Sequence, residues 1–335
     1  MCIADKNLKH YFTVAGREST GKTKSARPEI DRVKLRAILL ESVPKESIKW
    51  GHRLRSVGED LSLRFENGEE EKGFDLVVGA DGAWSKTRLF LSDQKPFYAG
   101  VCDIEQHISD VKERFPDLHR LVNKGSLYCF SDGKAVTAQQ IGDGSLKVSN
   151  YAVRDESWAK EHDASKMEPN AIKSLLLKEY AEWAPELRKL IESVDDHGAV
   201  MRALYMLPIG FSWQSKPGVT IIGDAAHVMV PFAGEGANLS MADAMHLAQW
   251  IQKSTDKASL HENVAKFGQE LFVRMKPIQQ ISHDNMEDMF LAAGAPRTTI
   301  DSYLTRMVKH MQGPVVGTLA GVMIYVYYWF FRMLH

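Results

Sequence analysis

With 335 residues, 44% of them hydrophobic and 25% charged, the chain is long enough for about two domains with sizeable cores. A formal net charge of −1, with both signs interspersed, argues against a nucleic-acid-binding surface. Cys2, Cys102 and Cys129 are too few and too scattered for a disulfide framework or a zinc site, and as thiols they suit a reducing compartment.

The N-terminal stretch MCIADKNLKHYFTVAGRE has no apolar h-region, so no secretory signal is read and an intracellular chain is expected. Residues 13–29 are polar and turn-rich and read as a loop. Val33, Leu35, Ile38, Leu39 and Leu40 give Asp31–Val43 an amphipathic helical pattern, with Asp31 as N-cap and Pro44 as terminator. Strand-like pieces follow at Ile48–Trp50, Arg53–Val57 and Leu61–Phe65, with a turn at Glu66-Asn67-Gly68. Phe74–Val78 is a short apolar run of the kind buried on both faces of a sheet.

Residues 97–155 read mainly as strands around turns at Ser131-Asp132-Gly133 and Gly142-Asp143-Gly144. Helical patterns cover 109–123 and 170–194, the latter interrupted near Pro185. Val219–Ile222 is a second short buried strand, Asn238–Lys253 a helix, and 259–292 one or two more. From Met311 to Phe331 the chain carries no charge, over the ~20 residues needed to cross a bilayer core. Gly313, Gly317 and Gly321 recur there at the spacing of close helix contacts in lipid, and Tyr325, Tyr327, Tyr328 and Trp329 cluster near one end. That run reads either as a membrane anchor or as a buried C-terminal helix.

Two turns carry the chemistry. DLVVGADGAWSKTR (75–88) and VTIIGDAAHVMVPFAGEGAN (219–238) each run an apolar strand into glycine, with an aspartate just past its end. Glycine permits positive φ and a close backbone approach to a ligand. An aspartate at a strand's carboxyl end is placed to hold a ribose hydroxyl. After Asp224, PFAGEGAN opens a helix whose free N–H groups suit a pyrophosphate or an electron-rich ring oxygen. A nucleotide cofactor lying across the loop satisfies all three features.

Gly79-Ala80-Asp81-Gly82, together with Gly223-Asp224-Ala225-Ala226-His227 and the following Pro231, Gly234, Gly236 and Asn238, resembles the FAD-dependent aromatic-ring-type monooxygenases. Within them the chain is similar to fungal salicylate-hydroxylase-like members and tetracycline-degrading monooxygenases. PEIDRVKLRAILLESVPKESIKWGHRL (28–54) adds a match to the helix that places an arginine by the flavin, and the likeness runs to about residue 295. The resemblance implies an α/β (mixed α+β) flavoprotein-monooxygenase fold with an inserted substrate-domain sheet and C-terminal helices. It divides the chain into 1–96 and 216–256 as two parts of an FAD-binding domain, 97–215 as the substrate-binding sheet, 257–310 as helices and 311–335 as the candidate anchor.

By position, the resemblance gives Asp224 the FAD ribitol or pyrophosphate, and turns the backbone of Gly234, Gly236, Ala237 and Asn238 toward the isoalloxazine and its O2. Arg36 would contact the flavin or its phosphates, and Asp81 and Gly82 both FAD and NADPH. Pro231, the nearest to a catalytic residue, would line the face where oxygenated flavin meets substrate. The implied reaction is NAD(P)H-driven oxygenation of a small apolar or aromatic metabolite, in secondary metabolism.

No G-x-G-x-x-G occurs in the chain. The family match begins near Ile3-Ala4-Asp5-Lys6, about a hundred residues into a complete relative, so the fold is expected to lack its N-terminal dinucleotide unit. Weak FAD binding would follow, as would a need for upstream sequence or a partner supplying that unit. Besides the enzyme, two readings stay open: a non-catalytic accessory protein derived from one, or recruitment to a non-redox step.

Other residues invite weaker readings. His227 reads as a packing or hydrogen-bonding residue beside the cofactor. His107, His119, His162 and His283 lack metal-ligand spacing, so no metal is expected. Ser85 has no hydrolase context, and Asp195-Asp196-His197 reads as an exposed turn. Trp213 lines a pocket or the core. Phe130, Gln139, Gln140 and Phe232 are candidate substrate contacts.

Overall fold

A computed structural model of the chain describes residues 1–14, 30–123, 125–162 and 167–334. The loop expected over 13–29 lies, from residue 15 on, outside the described residues. In chain order the elements begin with β1 (Cys2–Ala4), β2 (His10–Thr13), α1 (Arg32–Glu41), β3 (Leu54–Val57), β4 (Leu63–Phe65), β5 (Glu70–Glu71), β6 (Val77–Gly79) and α2 (Lys86–Leu91). The middle of the chain forms β7 (Phe97–Ile108), α3 (Val111–Arg114), α4 (Pro116–Val122), β8 (Ser126–Ser131), β9 (Lys134–Gln140), β10 (Leu146–Val153), α5 (Glu156–Glu161), α6 (Pro169–Glu179), α7 (Pro185–Glu192) and β11 (Val200–Met206). It closes with β12 (Val219–Ile221), α8 (Asp224–His227), α9 (Gly236–Gln252), α10 (Lys257–Met286), α11 (Ile300–Gln312) and α12 (Pro314–Leu334).

The chain forms two units, one of residues 1–43, 100–203 and 287–335, the other of 44–99 and 204–286. The N-terminal strands and the last two helices, α11 and α12, thus group with the sheet, while α10 belongs to the second unit.

The first unit is built on most of a seven-stranded sheet in the order β11-β7-β10-β9-β8-β1-β2. Both expected turns make its hairpins. Asp132 and Gly133 have φ 54° and 70°, the primed geometry that matches strand twist, between β8 and β9. Between β9 and β10, Asp143 accepts from the Ser145 N–H at 2.9 Å and hydroxyl at 2.7 Å, bonds that hold its carboxyl below the ordinary range. One sheet face carries Ile104, Ile108, Val136 and Val148, which pack on Ile172 and Leu176 of α6 and Leu187, Leu190 and Ile191 of α7. The break near Pro185 falls where α7 starts, proline being tolerated in a first helical turn.

The second unit sets β6 parallel to β12 (Val77↔Val219, Gly79↔Ile221), so strands about 140 residues apart become neighbours. Val219, Ile221, Leu239, Leu247, Phe267 and Leu271 form its core with α9 and α10. Trp213 belongs to that core, its ring edge-on to Phe272 at 4.7 Å.

Four local expectations are corrected. Ile48–Trp50 is not a strand: a 3₁₀ turn at Lys45–Ser47 leads into loop, and Trp50 is exposed. The helix at α1 forms, yet none of its residues is buried, and Val33 is 82% exposed. Asp31 sits at its N-cap position but does not cap it; the carboxylate accepts instead from the Gly142 N–H at 3.3 Å. At the other terminus, only 17% of the most apolar window of α12 is buried, which overturns the reading of a core helix.

Candidate functional site

The first aspartate turn is held from within. Asp81 Oδ2 accepts from the backbone N–H groups of Lys86 at 2.7 Å and Thr87 at 3.1 Å, and Oδ1 from the Ser85 hydroxyl at 2.5 Å. Ser85 Oγ in turn accepts from the Arg88 N–H at 2.8 Å, so both residues satisfy orphan donors at the start of α2. Ser85 is therefore a capping residue. The side chain the sequence reading missed here is Arg88, 1% exposed. Its guanidinium donates to Ala225 O at 2.8 Å, Gln94 O at 3.2 Å and Ala83 O. One buried cation thereby ties the first turn to the second, where burial lowers its pKa and the Asp81 charge opposes that shift. Gly82, at φ 78°, needs glycine, and a Cβ there would meet nothing within 4 Å.

The second turn rests on a buried carboxylate. Gly223 has φ 59°, and a Cβ there would lie 2.9 Å from Ser240 Oγ. Its N–H donates at 3.0 Å to Asp243 Oδ2, which also accepts from His227 Nε2 at 2.6 Å; Oδ1 accepts from Arg274 Nη2 at 2.7 Å. Arg274 Nη1 donates to His246 Nδ1 at 2.8 Å. Burial pushes the Asp243 carboxyl up, but the bonds from His227, Gly223 and Arg274 outweigh it and leave the group below the ordinary range. His227 is thus a buried strut. Asp243 and Arg274 were not singled out from sequence, although a signal existed: Leu239, Asp243 and Leu247 share one helical stripe, and an acid among leucines needs a buried partner.

With Asp243 occupied by the fold, Asp224 one residue beyond Gly223 stands exposed at the end of β12. A 3₁₀ turn at Pro231–Ala233 then leads to Gly234 at φ 71° and into α9. The first bond of that helix runs from the Leu239 N–H to Glu235 O, so the N–H groups of Gly236, Ala237 and Asn238 precede the ladder. A Cβ at Gly234 or Gly236 would meet nothing within 4 Å. The loop is braced from behind: Ser282 donates to Val230 O, and Asn285 Nδ2 to Phe232 O at 2.9 Å. Asp81, Gly82, Asp224, Pro231, Phe232, Gly234, Gly236, Ala237 and Asn238 therefore all fall in the second unit.

Arg36, Phe130, Gln139 and Gln140 lie in the first unit, Arg36 exposed on α1. The sheet register separates the two glutamines. Gln139 faces Lys147 and shares its side with Phe130, Ser149, Tyr151 and Asp103, whereas Gln140 pairs with Leu146 on the side packed against α6 and α7. Gln140 is thus removed from any common substrate face with Phe130. On the Gln139 side, burial, reinforced by the Glu105 charge, pushes the Asp103 carboxyl up to about 7. Arg202 approaches Glu105 at 3.2 Å and Asp103 at 3.9 Å. The Asp195 turn is also not free, since that carboxylate accepts from Ser109 and pairs with Arg114 at 2.6 Å.

Residues 40–261 match the protein family described as FAD binding domain. A monooxygenase of Emericella nidulans, asqM, is 31% identical over 275 residues, covering 68% of this chain and 62% of that protein. The chain accordingly spans less than two thirds of that relative's length. HpxO of Klebsiella pneumoniae, crystallised with FAD and uric acid, superposes with a TM-score of 0.68 at 18% identity, covering 87% of this chain and 72% of that one. A salicylate hydroxylase in a substrate complex gives 0.66 at 19% identity, covering 88% and 74%. These likenesses establish the fold.

Proposed function

The chain belongs to the FAD-binding domain family, and from that premise we propose that it is an FAD-dependent monooxygenase. It uses NAD(P)H to oxygenate a small apolar or aromatic metabolite of secondary metabolism, and a membrane holds it through its C-terminal helix. The observation that carries this reading is the second turn. An exposed Asp224 stands at the end of β12, and three leading N–H groups of α9 follow a glycine loop with open space at Gly234 and Gly236.

Those residues fit FAD. Asp224 would offer an acceptor for a ribityl hydroxyl, and the positive N-terminal end of the 17-residue helix α9 would stabilise electron-rich atoms of a bound flavin. When bound, FAD supplies the redox chemistry, accepting hydride from NAD(P)H and activating dioxygen. The protein's own work is positional. Asp243 and Arg88 lock the two turns, the bare Gly82, Gly234 and Gly236 let the cofactor approach backbone, and Pro231 and Phe232 shape the loop beside it. Asp81, already committed to α2, acts through the shape of its turn. The family resemblance alone gives Arg36 the flavin or its phosphates, and Phe130 and Gln139 stay candidate substrate contacts of the sheet. The 31% identical asqM is a monooxygenase, which favours the enzyme over the accessory-protein alternative.

Titrating FAD into the purified chain, followed by flavin fluorescence and by absorbance near roughly 450 nm, a property of the cofactor, tests the binding step. NAD(P)H consumption dependent on FAD and an aromatic substrate tests the activity. A chain that neither binds FAD nor consumes NAD(P)H would refute the proposal.

A further inference from the structure

The glycines of α12 do not face lipid. A Cβ on Gly317 would lie 2.4 Å from Lys309 Cα, and one on Gly321 would lie 2.8 Å from Thr305 Cγ2, so this stripe is pressed against α11. Buried Tyr328 continues it. Only small residues allow so close an approach along two helices.

The opposite stripe is bare. Val315, Leu319, Val322, Val326, Trp329 and Met333 follow one another at alternating four- and three-residue spacing and are all exposed, Leu319 at 68%. Such a run marks one continuous face of a helix. Soluble monomers rarely expose a continuous apolar strip along a helix of 21 residues.

Composition alone would send this helix across a bilayer. Its attachments forbid that, because both ends are tied to the same unit. At the N-terminal end, Gly313 turns directly out of α11, its N–H bonded to Lys309 O at 3.0 Å. At the C-terminal end, Arg332 pairs with Asp301 and donates to Arg297 O at 3.1 Å and Thr298 O at 3.2 Å, while Arg297 donates back to Arg332 O at 3.1 Å. Tyr328 donates its hydroxyl to Tyr11 O on β2, and Phe331 packs edge-on to Tyr11 at 5.6 Å. A spanning helix of this length would hold its ends about 30 Å apart on opposite sides of the hydrocarbon. Crossing would break the contacts at the C-terminal end and leave Asp301 and Arg332, whose side chains are 5% and 27% exposed, without each other.

We propose that α12 is an in-plane membrane-binding helix, which lays its Val315–Met333 stripe into one leaflet while α11 clamps its back and both termini stay on the side of the folded units. The occupant is the apolar boundary of a lipid bilayer, entered to a depth of about 5–10 Å. This mode rests on the membrane attachment proposed above and specifies how it is made.

The test uses the full chain with an epitope at each terminus, synthesised in the presence of sealed microsomal vesicles. Flotation reports attachment, and protease added outside reports sidedness. The expected result is that the protein floats, that both epitopes are digested without detergent, and that Leu319→Glu with Met323→Glu lowers the floated fraction at least tenfold. Both positions are exposed, so the variant should keep the thermal midpoint of the parent. A C-terminal epitope protected until detergent is added would show that the helix spans, overturning the in-plane mode while leaving attachment intact. No flotation would overturn attachment itself. If, in addition, sedimentation shows a dimer that the double variant dissociates, a second copy of the chain covers the stripe.

Discussion

Asp243→Ala is expected to be among the most damaging single changes in the second unit. The carboxylate is fully buried and accepts from three donors at 3.0, 2.6 and 2.7 Å. Removing one partner of a buried charged network costs about 3–5 kcal/mol. Of the three donors, the Gly223 N–H and the His227 ring have no route to water, whereas Arg274 is 23% exposed and can turn outward, which favours the lower half of that range. At about 2–4 °C per kcal/mol for a domain of this size, thermal unfolding should fall by roughly 10 °C. The acid limb gives a second signature. A carboxyl held below its ordinary pKa stabilises the fold above the unfolded value of about 3.9, and that contribution is lost as pH falls through the folded value. The parent should therefore lose stability below about pH 4 more steeply than the non-titrating Asp243→Asn. Circular dichroism melts from pH 7 down to pH 3, with FAD titrations on the same samples, measure both. An unchanged midpoint for Asp243→Ala would refute the view that this carboxylate holds the turn.

Asp224→Ala should leave the melt unchanged and weaken FAD by about 1.5 kcal/mol, roughly tenfold, by fluorescence titration; equal affinities would remove the residue from the site. Asp103→Asn tests the raised carboxyl of the sheet. A group at about 7 when folded and about 3.9 when unfolded loses stability as pH rises between those values, so the variant should match the parent near pH 4 and exceed it by about 2–4 kcal/mol at pH 8 in urea unfolding. Gln139→Ala should change the substrate KM with little effect on unfolding. Gln140→Met should leave KM alone and be neutral or stabilising, because its buried Oε1 makes no hydrogen bond.

Much of the site was legible before any coordinates. A strand ending in glycine and an aspartate, followed by a thin loop and a helix start, has few uses other than a close ligand approach. Both turns stand where the sequence placed them, as do the two hairpin turns and the break at Pro185. The fold class came from the resemblance those turns carry; the apolar runs at 74–78 and 219–222 marked the two strands that pair in parallel, although Phe74 and Val78 are exposed where burial on both faces was expected. Local pattern did not reveal which aspartate was free. Asp81, Asp224 and Asp243 are chemically identical; the backbone around Asp81 consumes its carboxylate, three long-range donors consume that of Asp243, and Asp224 is left over. Asp31 likewise had the sequence of an N-cap and was diverted to Gly142, 111 positions away. The terminal helix shows the division most plainly. Its uncharged length and glycine spacing fixed that it would be an apolar helix with one tightly packed stripe. That this stripe packs on protein, and that the far end of the helix is tied down, depended on Thr305 and Lys309 of α11, on Asp301 and on Tyr11. Helical periodicity is a property of neighbours in sequence, but the partner of a face is chosen by residues that only the folded chain brings within reach.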